Sequence, residues 1–377
     1  MVRVRHVWLL AGLMPGFSAA ATANLGIWDV DSSCTQYNTY LQDSFNEVLL
    51  MATAARDNLN FALLKRPDAE KYPDENKKWN KIAFAMGATL GFFPDKKREE
   101  TITDNLNGKY YKAALAVYNK IVDTLQAAQN DPANGYSHLS SRVDAKPKII
   151  CGEDENVAFQ WLGPQDKIPG KSILMSNKFT KYFLGGSEGA WYNDERFFFK
   201  DQEKETPVLC MDSGLKAAVY WGWDLVHFCP SMFTDAVRNL PTPTALKNGG
   251  VNAGDDIDTL MMHLSSILLH EMTHWFGGLN TNPDGSYILD SPIVDDIQAV
   301  NSQGVLQTRN GKIVKTYRKH YVFNLAMQKS KTNKANAANF GPAKALRNAD
   351  NLNLFAFMSY VNQYDFVRKG GIAADFK

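Results

Sequence analysis

The stretch SSILLHEMTHWFGG, residues 265–278, decides how the rest of the chain is read. Ile267, Leu268, Leu269, Met272, Trp275 and Phe276 give it the apolar content of a buried helix, yet His270, Glu271 and His274 sit among them. On a helix, residues four apart lie on one face, so both imidazoles can reach one zinc ion at ~2.0–2.1 Å. Glu271, next to the first of them, is placed to take a proton from a water that the ion activates for attack on a carbonyl. The apolar flanks predict a helix held inside the fold with one polar edge on a cleft. That helix is expected over about 258–276, with Asp258 as N-cap and Gly277–Gly278 as the stop. Two surface histidines beside an unrelated glutamate would not need such apolar neighbours.

A catalytic zinc takes three protein ligands and leaves a position open. Asn280 stands where the longer HExxHxxGxxH form requires a third histidine, and no glutamate follows Glu271 anywhere in the chain. The third ligand is therefore an aspartate or a histidine: Asp284, Asp290, Asp295, Asp296 or His320. Asp284 lies in an Asn-Pro-Asp-Gly turn. Asp296, in IVDDIQAV, is framed by apolar residues that would fix a carboxylate better, and is preferred.

Working outward, residues 1–23 have the form of a secretory signal: Arg3 and Arg5, an apolar run from Val7 to Met14, then small residues ending at Ala23. No later run is long and apolar enough to span a bilayer. Cys34, Cys151, Cys210 and Cys229 form an even set with no CxxC pair, so disulfides are expected, Cys210–Cys229 and by default Cys34–Cys151. The net charge of +1 gives no basic excess for nucleic acid.

Residues 24–146 read as a helical region. Tyr37, Leu41, Val48, Ala52, Ala55 and Leu59 mark one amphipathic helix, and Tyr111, Leu115, Tyr118, Val122 and Leu125 another. The charged, proline-interrupted 66–100 between them reads as a surface insertion with one short helix. A processing protease could cut its dibasic DKKREE run, but removal up to Arg98 would take Cys34 and leave three cysteines, which argues against a propeptide ending there. Residues 147–377 carry the short β-rich runs KIIC, VAFQWL, SILMS, PVLCM, AAVY and DLVHF. GGSEGAWYNDERFFFKDQEKE reads as loop, the Asn310–Gly311 pair as a hairpin or long loop, and two terminal helices are expected at about 316–330 and 342–362. The fold class is α+β, with a small mixed sheet between helical layers. His263 and His227 are read as ordinary packed histidines.

Three further segments bear a resemblance: LLHEMTHWF, the HFCPSMF that closes the preceding strand, and AKALRNADNLNLFAFMSYV near the C-terminus. Over roughly residues 150–365 the chain resembles the aspzincin, or deuterolysin-like, family of secreted fungal zinc metallopeptidases. The resemblance implies a zincin-like domain whose HExxH helix supplies two ligands, an aspartate third ligand in a GTxDxxYG-type motif, and a tyrosine that assists the transition state. That motif is not intact. NTNPDGSY keeps the Asp-x-x-Tyr spacing at Asp284 and Tyr287. Alternatively Asp295 or Asp296 supplies the carboxylate, and KTYRKHYVFNLA, separated from it by a hairpin insertion, supplies Tyr317, with Arg318 where the motif has glycine. The NADN of Asn348–Asn351 matches the family's C-terminal helix, with Asp350 bonding backbone or a group behind a ligand.

The expectation is a secreted monomeric zinc endopeptidase acting on protein or peptide. His270, His274 and Asp296 hold the metal, Glu271 is the general base, and Tyr317 is a hydrogen-bond donor to the scissile carbonyl. The alternatives are a catalytically weak binding protein of the same descent, favoured by the broken motif, and an aromatic-rich carbohydrate-active protein with two facing carboxylates.

Overall fold

The computed structural model describes residues 22–94, 106–127, 146–153, 158–201, 209–210, 214–220, 224–278 and 294–376. The main helices are α1 (Asn38–Leu63), α2 (Pro73–Thr89), α3 (Leu106–Ala127), α4 (Leu264–Gly278), α5 (Lys319–Leu325) and α6 (Ala349–Tyr360). The strands are β1 (Asp29–Val30), β2 (Lys148–Cys151), β3 (Gln160–Leu162), β4 (Gly189–Asn193), β5 (Arg196–Lys200), β6 (Ala217–Tyr220), β7 (Leu225–Phe228), β8 (Thr308–Arg309) and β9 (Lys312–Ile313).

The apolar spacing of α1 and α3 does what it predicts. Leu41, Val48, Ala52, Ala55 and Leu59 on α1, and Tyr111, Tyr118, Val122 and Leu125 on α3, are fully buried. They meet α4 and α6 in one continuous apolar core. Tyr118 donates its hydroxyl to the Leu352 carbonyl at 2.7 Å, so the polar tip of a buried ring does not go unpaired. Segment 66–100 is not the surface insertion expected from its charge. Its helix α2 runs 17 residues and buries Trp79, Ile82 and Met86 against α1 and α6. Pro73 sits at the start of that helix, where a missing N–H costs nothing.

The first sheet has the order β1-β2-β7-β6. Its first three strands are parallel and β6 runs antiparallel to β7, so the sheet is mixed. Alternate residues divide between its faces. Ile149, Cys151, Val226 and Phe228 join the helical core. Ile150 and Leu225 join Phe159, Trp191 and Phe198 on the other face. The sheet therefore lies between helices and a second sheet, β3-β4-β5, and not between two helical layers as expected. The α+β class stands.

The layer arrangement was misjudged because residues 185–205 read as loop. They contain the β4–β5 hairpin, whose turn residues Asp194 and Glu195 have φ of 40° and 67°. Two successive left-handed residues make the tight hairpin turn that Asn-Gly usually signals, and here no glycine announces it. SILMS is likewise not a strand: it runs into a helical turn, Met175–Lys178. The Asn310–Gly311 hairpin is present as β8–β9, with φ of 51° and 75° at those two residues. The terminal helices are shorter than their periodicity suggests, and Arg318, at φ 71°, blocks α5 from starting earlier.

Both expected disulfides, Cys34–Cys151 and Cys210–Cys229, are formed. No helix among the described residues is long and apolar enough to cross a membrane. Of the expected leader only Thr22 and Ala23 are described, and Ala23 packs in the core. DKKREE, Asp284, Tyr287 and Asp290 lie outside the described residues.

Candidate metal centre

Helix α4 is buried on all sides but one edge. Leu268, Leu269, Met272 and Phe276 face the core. His270, Glu271 and His274 line a cleft of about 330 Å³ with Ala217, Ala218 and Val219 of β6, and with Val294, Asp296 and Tyr317. The helix start differs from expectation. Asp256 caps a separate turn, Ile257–Leu260, by accepting the Asp258 N–H. Asp258 instead accepts the Lys319 N–H at 2.7 Å. At the head of α4 the Ser265 N–H is taken by Nδ1 of His263 at 3.1 Å. Burial lowers the His263 pKa to about 4, keeping that ring neutral and able to accept.

Asp296 reaches α4 through a hairpin. Ala299 N–H bonds to the Val314 carbonyl at 2.7 Å and Thr316 N–H to that of Ile297 at 2.8 Å. The two legs, from Asp296 outward and back to Tyr317, thus run side by side. Buried Asn348, just before α6, holds both: its Oδ1 accepts the Ile297 N–H (2.9 Å) and its Nδ2 donates to the Thr316 carbonyl (3.2 Å). Tyr317 then donates its hydroxyl to Asp296 Oδ2 at 2.7 Å.

The resulting geometry is specific. Nε2 of His270 and Nε2 of His274 lie 3.1 Å apart, and Asp296 Oδ1 is 3.3 Å from the first and 3.4 Å from the second. Three donors each ~2.0–2.1 Å from a tetrahedral zinc stand about 3.3–3.4 Å from one another. The other ring nitrogens are committed. His270 Nδ1 contacts Asp350 Oδ1 at 2.6 Å, and His274 Nδ1 contacts the Val294 carbonyl at 3.1 Å. A carboxylate and a carbonyl only accept, so Nδ1 keeps a proton in each ring, and in the neutral imidazole that a cation requires the lone pair is on Nε2. Asp296 Oδ1 is itself buried and lacks a hydrogen-bond donor. Three acceptors converging on one point fit a cation, and these residues could hold a metal ion.

The electrostatics agree. Burial alone would lower the His270 pKa, but Asp350 and Asp296 raise it well above the ordinary imidazole value. Burial likewise opposes the charged form of His274, and Asp296 overrides it upward. Burial would raise the Asp296 carboxyl, but the two histidines hold it far below the usual carboxylate range. The site favours positive charge at the point where the three meet. Burial pushes the Glu271 carboxyl up, with only 5% of the residue exposed. Tyr317 is 43% exposed at the rim; burial of its hydroxyl end, with the Asp296 charge, raises its pKa strongly.

Two supports carried weak sequence signals. Asp350 Oδ2 also accepts the Arg318 N–H at 3.3 Å, so one carboxylate ties His270 to the residue after Tyr317. Gly277, read only as a helix stop, is needed for close approach. A Cβ there would lie 2.3 Å from Val294, whose carbonyl orients His274. The other described candidates do not converge with these three. Asp295 also lines the cleft, but it is exposed and its Oδ1 accepts the Asp296 N–H. His320 is exposed and lies against the Tyr321 ring at a 44° tilt.

A second cluster, Cys210, His227 and Cys229, also brings ligand-type atoms together. Its two sulfurs are joined to each other, and His227 Nε2 bonds to the Gly152 carbonyl at 3.0 Å. His227 lies on the inner strand β7, not at the edge. No family model matches the chain, and neither curated proteins nor solved structures contain one detectably similar to it.

Proposed function

We propose that this protein is a secreted zinc-dependent endopeptidase of zincin-like fold, related to the aspzincins. The observation that carries the reading is the triangle of His270 Nε2, His274 Nε2 and Asp296 Oδ1, with Glu271 beside it in a cleft. Two details support the kinship. The hairpin insertion brings Asp296 and Tyr317 together as an uninterrupted motif would. Arg318, where the motif has glycine, has φ 71° and ψ 154°, a conformation almost confined to glycine.

A zinc ion held by these three residues would polarise the scissile carbonyl and lower the pKa of a water toward ~7. Glu271, in its dry setting, takes the proton of the attacking water and passes it to the leaving amine. Its raised pKa brings acceptance and release closer to neutral pH. Tyr317 steadies Asp296 through its hydroxyl, and that one O–H, turned away from the carboxylate, would donate to the developing oxyanion. Strand β6 pairs with no described strand on its outer side, and its Ala217–Val219 stretch lines the cleft. An extended substrate can lie along it.

The test is casein hydrolysis by wild type, by chelated and zinc-restored protein, and by Glu271→Gln. Activity should vanish on chelation, return with zinc, and fall by at least ~10²-fold in the variant while bound zinc is unchanged. Full activity in Glu271→Gln, or after complete zinc removal, refutes the reading.

A further inference from the structure

The 53 residues between Asp296 and Asp350 contain ten lysines and arginines and no carboxylate. The whole chain has a net charge of only +1, so the rest is distinctly acidic. This one-signed stretch is a structural unit. Val300, Leu325 and Phe340 form its own small core, with Ile297, Met327 and Ala337 packed on it. Asn336 and Asn339 donate to the Gln303 and Gly304 carbonyls, fixing the 329–340 stretch to the tight turn at 301–305 in the outgoing leg of the hairpin. Both ends of the unit are pinned at the metal centre, at Asp296 and at Asn348–Asp350.

Its surface is cationic and apolar by turns. Arg309, Lys312, Lys329, Lys331 and Lys334 are exposed. Arg309 and Lys312 are direct cross-strand partners at the hairpin tip. Like charges so placed cost stability, a cost that a bound anion would relieve. Between and beside them Val305, Leu306 and Ile313 are 45%, 45% and 59% exposed. Lys319, by contrast, is neutralised by Asp256 at 2.6 Å.

We infer that this lobe is a docking surface for acidic polypeptide, which it delivers to the adjoining cleft. The exposed Val, Leu and Ile among the cations favour a chain of mixed acidic and apolar side chains over a uniform phosphate or sulfate polymer. Naming it as substrate rests on the peptidase reading; the docking surface does not.

The test is fluorescence anisotropy with zinc-loaded Glu271→Gln and three labelled probes. These are a peptide alternating Glu and Leu, its Lys-for-Glu analogue, and an oligonucleotide of equal negative charge. The acidic peptide should bind at least ~10-fold tighter than the other two and weaken in 0.5 M salt, as screened charge pairs do. Binding should fall by ~10-fold or more in Arg309→Glu/Lys312→Glu, and independently in Lys331→Glu/Lys334→Glu, with zinc content unchanged. Equal affinity for acidic and basic peptides, no effect of either double variant, or preference for the oligonucleotide overturns the inference. Tight acidic binding by a protein that never cleaves casein would instead sink the peptidase reading and leave the docking surface standing. Casein cleavage without acidic preference would do the reverse.

Discussion

Among the described residues two clusters bring three ligand-type side chains together, and only one is suited to a cation. At Cys210, His227 and Cys229 the sulfurs are spent on each other, and His227 is fully buried with Nε2 on a carbonyl. At His270, His274 and Asp296 the outward-facing atoms are committed, to Asp350, to the Val294 carbonyl and to Tyr317, and the inward-facing atoms are all acceptors. The difference teaches that residue type and proximity do not make a metal site. What decides is whether lone pairs converge with no proton left to share.

The contrast can be broken in several ways, taken from the strongest expected effect down. Asp296→Ala should abolish stoichiometric zinc binding, whereas His227→Asn should retain it; zinc retained in the first and lost in the second would invert the assignment. Replacing Cys210 and Cys229 together by serine should cost about 3 kcal/mol of unfolding free energy, as expected for a loop of this length. Chemical denaturation measures this, and zinc content should not move. Asp350→Asn should weaken zinc affinity by ~10–100-fold in chelator competition, because it frees the His270 ring without removing a ligand. An unchanged affinity would show that the 2.6 Å contact does not orient the imidazole. Arg318→Gly should raise stability by about 1 kcal/mol, relieving the backbone at φ 71°. A lower melting temperature would mean that the arginine side chain outweighs its strain.

Acidity should separate the clusters as well. His270 and His274 have raised pKa values in the absence of a cation, so protons compete with zinc already near neutral pH. Zinc affinity should fall as pH drops, with proton release on binding visible by calorimetry in buffers of different ionisation heat.

The helical pair was legible because four residues is one turn, and that spacing needs no tertiary knowledge. Asp296 was partly legible, through the absence of glutamate downstream and its apolar frame. Its partnership with Tyr317 was obscured by the intervening hairpin, although Asn310–Gly311 marked the turn. Asp350 was flagged only as a residue behind a ligand; that it faces His270 follows from the packing of α6 on α4, which no local pattern encodes. The β4–β5 hairpin was missed because Asp194 and Glu195 adopt a glycine-like turn without glycine. The sheet's true neighbours were lost with it. Charge misled at α2, where lysines on one face hid the burial of Trp79 and Met86 on the other.

The most direct test is a crystal of the zinc-loaded protein with an anomalous difference map at the zinc edge. The account predicts one strong peak, ~2.0–2.1 Å from both Nε2 atoms and from an oxygen of Asp296. No peak there, or a peak beside His227, would contradict it.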